Sequence, residues 1–161
     1  MKTLSILFIA FAFFMQPSQA GLGLVQSDPT VRKKHFNLDK GVAIQGYDPV
    51  AYFTQNKAVK GSAAHTFTHR NVTYRFASAA NLKAFQENPG QYEPQYGGWC
   101  AYAMGAAGEK VEVDPETFKI TDGKLFLFYH TFINNTLTKW NKDEPALHRK
   151  ADASWSKLIQ S

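Results

Sequence analysis

The chain has 161 residues, 18 of them basic and 13 acidic, for a net charge of +5 with neutral histidines. Apart from Arg32, Lys33 and Lys34 the basic residues are scattered. A nucleic-acid reader carries a dense Lys/Arg stripe with interleaved aromatics, so that class is excluded. One cysteine, Cys100, cannot close an internal disulfide, whatever the redox compartment.

The first element predicted is a leader. Lys2 supplies a positive start, Leu4 to Met15 carries no charge, and small residues stand at Ser18 and Ala20, the three-part form of a cleavable signal peptide over Met1–Ala20. The apolar run is shorter than the roughly 20 residues that span a bilayer. The expectation is an exported protein, periplasmic or secreted, with no membrane span once the leader is removed. Residues 21–40 read as a flexible lead-in, polar with few apolar positions. Residues 41–161 read as one domain.

Within that domain, Val42 to Ile44 is a short apolar run stopped by Gly46, and Tyr47-Asp48-Pro49 marks a turn. Val50 to Phe53 reads as a second short strand. His65 to His69 and Val72 to Phe76 alternate about Arg70-Asn71, the pattern of a hairpin. Ser78 reads as an N-cap, with Leu82 and Phe85 on one face of a short helix ended by Asn88-Pro89-Gly90. Phe118 and Ile120 alternate before Asp122-Gly123, a type I′ hairpin signal, and Lys124 to Tyr129 returns. In that return Leu125 and Leu127 face one way while Phe126 and Phe128 face the other, which suggests a central strand or one covered on both sides. Phe132, Leu137 and Trp140 suggest one amphipathic helix; Leu147, Ala151, Trp155 and Leu158 suggest a stronger one. The fold class expected is α+β: a small, mostly antiparallel sheet with short helices and a C-terminal helical segment.

Several of these segments together resemble a known family. Gly46-Tyr47-Asp48-Pro49-Val50-Ala51-Tyr52-Phe53, Tyr74-Arg75-Phe76-Ala77-Ser78, and Phe85 with Asn88-Pro89 and Tyr92 are similar to the YHS-domain family. Gln95-Tyr96-Gly97-Gly98-Trp99-Cys100-Ala101-Tyr102, Asp122-Gly123-Lys124-Leu125, and Trp140, Asp152 and Trp155 resemble its exported bacterial subgroup with a single Gly-Gly-aromatic-Cys motif. The resemblance runs from about Gly41 to Leu158. It implies a binding module with copper as the expected metal, held by cysteines. At the three places where those cysteines stand, this chain has Ala51, Ala77 and Asn81.

Cys100 is therefore the residue on which any soft-ligand chemistry must rest. Gly97-Gly98 precedes it, and a helix starting near Gly98 would put the thiol in a first turn, where free amides favour a thiolate. Met104, four residues on, would share its face, and His130 at a strand end could reach the same point. Cys100, Met104 and His130 are thus the candidate metal set, for a soft ion such as copper. The alternatives are thiol-redox chemistry at Cys100, or a cell-envelope interaction protein in which Cys100 packs as a small hydrophobe. His65 and His69 do not form a metal pair: four residues along a strand separate them by roughly 13 Å. No catalytic constellation, phosphate loop or dinucleotide fingerprint is present.

Overall fold

The computed structural model describes residues 28–161, and the leader expected at Met1–Ala20 lies outside them. The first described element corrects the flexible lead-in. Helix α1 (Pro29–His35) begins because the Asp28 carboxylate accepts the Thr30 N–H at 2.7 Å and Pro29 presets the first helical φ. Its Arg32 and His35 are buried, and the Trp99 indole donates to the His35 carbonyl at 2.7 Å. The domain therefore includes residues that precede Gly41.

A four-stranded sheet follows, in the order β1 (Leu38–Asp39), β2 (Val42–Ala43), β4 (Val72–Phe76), β3 (Ser62–His69). Only the β2–β4 pair is parallel. The β3–β4 hairpin turns at Arg70 and Asn71, both at positive φ. Along β4, Val72, Tyr74 and Phe76 are buried and alternate with half-buried Thr73 and Arg75, as a strand with one core face must.

The strand expected at Val50 to Phe53 is instead helix α2 (Pro49–Gln55). Asp48 decides this. Its Oδ1 accepts the N–H groups of Val50 at 2.8 Å and Ala51 at 3.3 Å, and Pro49 occupies the first helical position. Four consecutive buried residues, Pro49 to Tyr52, mimic a buried strand when read by polarity alone. Ser78 caps α3 (Ala79–Glu87) as expected, accepting the Asn81 N–H at 3.1 Å, and the short α4 (Pro89–Tyr92) follows.

Strand β6 (Lys124–Phe128) divides the interior. It pairs with β5 (Asp114–Thr121) through the Asp122-Gly123 turn, both turn residues at positive φ, and its other edge meets Pro94 and Cys100 in single bridges. Leu125 and Leu127 enter one core with Tyr52, Tyr74, Phe76 and Phe85. Phe126 and Phe128 enter another with Met104, Trp140 and Trp155. All four strand residues are fully buried, each contributing roughly 1.5–3 kcal/mol.

Helix α5 (Ala101–Ala107) packs on the long C-terminal helix α7 (Glu144–Leu158). The contact is close: a Cβ on Gly105 would stand 2.5 Å from the Leu147 carbonyl oxygen. Leu147, Ala151, Trp155 and Leu158 form the inward face of α7, as their spacing predicts. The first amphipathic helix is shorter than expected. Helix α6 (Thr136–Trp140) keeps Leu137 and Trp140, but Phe132 lies outside it, in the turn of the small hairpin β7 (His130–Thr131) and β8 (Asn134–Asn135). Phe132 and Ile133 are the exposed large hydrophobics among the described residues. The whole is α+β with a C-terminal helix, as the sequence predicts. Among the described residues no helix is long and apolar enough to cross a membrane.

Candidate functional site

Three places need to be compared: the cysteine, the positions marked by the family resemblance, and a cleft that the sequence does not reveal.

Cys100 is the N-cap of α5, and Gly97 and Gly98 lie in left-handed turns before it, so the helix starts later than expected. The sulfur does not cap the helix. It accepts the Tyr129 N–H at 3.3 Å and lies 3.4 Å from the Thr136 hydroxyl, and the residue is fully buried. Met104 is fully buried as well, but it packs in the core with Phe126 and Trp140, whereas Cys100 packs with Leu125 and Leu127. The His130 ring is held elsewhere: Nδ1 lies 2.9 Å from the Thr117 hydroxyl and 3.4 Å from Asp114 Oδ2, with the side chain 41% exposed. The structure thus seals the thiol and thioether inside and turns the imidazole toward solvent. Among the described residues no three His, Cys, Asp or Glu side chains cluster as a metal site would require.

The three positions where the resembled family carries cysteines do converge, around Asp48. Its Oδ1 accepts from Ala51 N–H, and Oδ2 accepts the Ala77 N–H and the Asn81 side-chain amide, each at 2.7 Å. Asp48 is fully buried, and its two oxygens accept four N–H groups in all. The sequence identifies Asp48 as a turn residue bonding backbone amides, which it is; the bonds to Ala77 and Asn81 come from distant segments. The carboxylate is satisfied by uncharged donors and closed off, a structural joint between α2 and the β4–α3 connection.

The cleft lies between α1, the Pro94–Gly97 segment and α7, with a volume of about 460 Å³. Its floor is Arg32. The side chain is 6% exposed, the guanidinium stacks on Phe36 at 4.3 Å, and its two terminal nitrogens donate to the two Glu93 oxygens. The Tyr74 hydroxyl also donates to Glu93 Oε1 at 2.6 Å. Burial and the Glu93 charge push that phenol far above its ordinary range, so it stays protonated as a donor. Arg32 Nε has no acceptor among the described residues. Arginine is almost never buried unless paired, and an orphaned buried N–H calls for an explanation.

The walls are built around Gly97. At φ +60° a Cβ there would stand 2.9 Å from the Trp155 ring and 3.1 Å from Phe36, so only glycine lets the loop approach both aromatics. Phe36 and Trp155 meet edge to face at 6.3 Å. Tyr96, at φ +54°, holds a left-handed conformation uncommon outside glycine and asparagine. Its hydroxyl donates to Asp152 Oδ1 at 3.0 Å, and burial together with that carboxylate raises the phenol. Arg70 reaches the rim from the β3–β4 turn and has no carboxylate within ion-pair distance among the described residues. His69, beside it, is lowered by burial first; Arg32 and Arg70 lower it further, against the opposing pull of Glu93.

Sequence reasoning misses this cleft because Arg32 falls in a stretch read as flexible. The signals were the Asp28-Pro29 helix start and the Arg32/Phe36 spacing of four, which stacks a guanidinium on a ring. No family model, curated protein or solved structure matches the chain.

Proposed function

We propose that this chain is an exported, non-catalytic binding domain of YHS type, and that it holds its ligand in the Arg32 cleft. The observation that carries the reading is a cleft large enough for a small molecule, lined by a buried arginine whose Nε, beneath the surface, has no acceptor among the described residues. The convergence of position 51 with positions 77 and 81 on one point supports the resemblance to the family, because the two stretches are more than twenty residues apart in the chain. The same geometry moves the function away from sulfur. A soft metal at Cys100 would have to displace the Tyr129 N–H from a fully buried thiol and draw His130 off Thr117.

The test is a backbone and indole NMR titration of the purified protein with Cu(I) and with a set of small anionic, cationic, zwitterionic and neutral molecules. Shifts confined to Arg32, Arg70, Tyr96 and the Trp155 indole support the cleft. One equivalent of tightly bound Cu(I), lost in Cys100→Ala, would return the site to the cysteine and overturn this assignment. Rapid alkylation of Cys100 in the native state would do the same in favour of thiol-redox chemistry.

A further inference from the structure

The ligand class follows from how the cleft's charges are spent, and the inference rests on the cleft reading above. Arg32 and Glu93 neutralise each other at the floor, and both Glu93 oxygens are engaged. Two charged side chains keep capacity. Arg70 is exposed and without a carboxylate partner among the described residues. Asp152 gives Oδ1 to Tyr96, meets His148 only at 3.7 Å through Oδ2, and leaves its side chain 57% exposed. One free charge of each sign thus borders the same cleft.

A simple anion on Arg70 would also face Asp152, and a simple cation on Asp152 would also face Arg70. Like charges brought together in a partly desolvated cleft are unfavourable, so neither sign alone is well matched. A molecule carrying both signs satisfies both free groups. Trp155 and Phe36 add an apolar wall, on which a hydrocarbon or aromatic side chain gains by burial. The volume, about 460 Å³, lies in the range that encloses molecules larger than a single amino acid.

We infer that the cleft binds short peptides with both termini free, the carboxylate on Arg70, the ammonium on Asp152 and an apolar side chain against Trp155 and Phe36. The recognition is of termini and one apolar side chain, so it tolerates sequence variation elsewhere in the peptide.

Calorimetric titration of the purified protein with Leu-Leu, its N-acetyl form and its C-terminal amide tests this, with the Trp155 indole signal read in parallel. Blocking either terminus should weaken binding at least tenfold. In Arg70→Gln, Leu-Leu and its amide should bind alike; in Asp152→Asn, Leu-Leu and its N-acetyl form should bind alike. Both side chains are exposed, and neither variant should disturb folding. Equal affinity for free and blocked peptides in the unsubstituted protein overturns the peptide assignment while leaving the cleft as the site. No response of Arg32 or Trp155 to these or to any charged or neutral probe takes down the cleft reading itself.

Discussion

Asp48 and Glu93 are both carboxylates set deep in the same domain, and they are finished in opposite ways. Asp48 is enclosed by four neutral N–H donors from two stretches of the chain and meets no solvent. Glu93 is held by one cation and one phenol beside a cleft that opens outward, and its partner Arg32 keeps a buried N–H without an acceptor among the described residues. The first arrangement has no capacity left to bind anything, so its contribution is to stability. The second leaves one buried donor unused beside an open cleft, and the proposed ligand site rests on that cleft. The pair teaches that saturation of donors and acceptors, more than residue type, separates a joint from a site.

The largest way to break this contrast is Asp48→Ala. It removes the α2 cap and two further bonds to a buried carboxylate, from the Ala77 N–H and the Asn81 amide, at about 3–5 kcal/mol in all. Urea unfolding would measure it, and a loss under 1 kcal/mol would show that the node is not a structural joint.

Glu93→Ala comes next. It strands a buried guanidinium and should cost roughly 2–4 kcal/mol, below the full penalty of a sealed pair because the cleft admits solvent. Acetate at tens of millimolar should restore part of that loss in Glu93→Ala and none in Asp48→Ala. Equal rescue, or none in either, would erase the distinction between open and closed carboxylates.

Cys100→Ala should cost about 1–2 kcal/mol, from a small void and the lost Tyr129 contact. In the unsubstituted protein, alkylation of Cys100 should keep pace with global unfolding as urea is raised. Labelling well below the unfolding midpoint would mean that the thiol opens locally.

The smallest effect is on pH. His69 and His35 both have folded values below their ordinary 6.5, through burial first and then nearby cations: Arg32 and Arg70 for His69, Lys110 and Lys34 for His35. The unfolded chain therefore binds protons more readily than the fold does. Their contribution is fully present above about pH 6.5 and is lost as the pH falls from there toward the lower folded values. Melting temperatures from pH 7.5 to 5.5 should decline, less so in His69→Gln. A rise on acidification would contradict the sign.

Much of the frame was legible in the sequence because short-range chemistry dictates it. Arg70-Asn71 and Asp122-Gly123 fix two hairpins through turn geometry, Ser78 fixes a helix start, and the doubly apolar run Leu125 to Phe128 marks the strand between two cores. The misreadings have physical reasons. Val50 to Phe53 has strand-like polarity, but Asp48 and Pro49 impose a helix start, and a local cap outweighs the polarity pattern. Phe132 fits a helical spacing but sits in a turn. The cleft was illegible because its parts are far apart: Arg32 and Glu93 are 61 residues from one another, and Tyr96 and Asp152 are 56. Spacing rules reach only neighbours along the chain. The sulfur was conspicuous in composition, yet its burial depends on Tyr129 and Thr136, which no local pattern pairs with it.

The missing side chain at Gly105 has a wider consequence. Because α5 and α7 approach so closely there, their spacing is set at Gly105 and Leu147, and Asp152 and Trp155 lie roughly one to two turns further along α7. A methyl group added at position 105 would collide with the Leu147 carbonyl and force the two helices apart, although neither residue lines the cleft. The helix that carries Asp152 and Trp155 is therefore positioned in part by a contact outside the cleft lining.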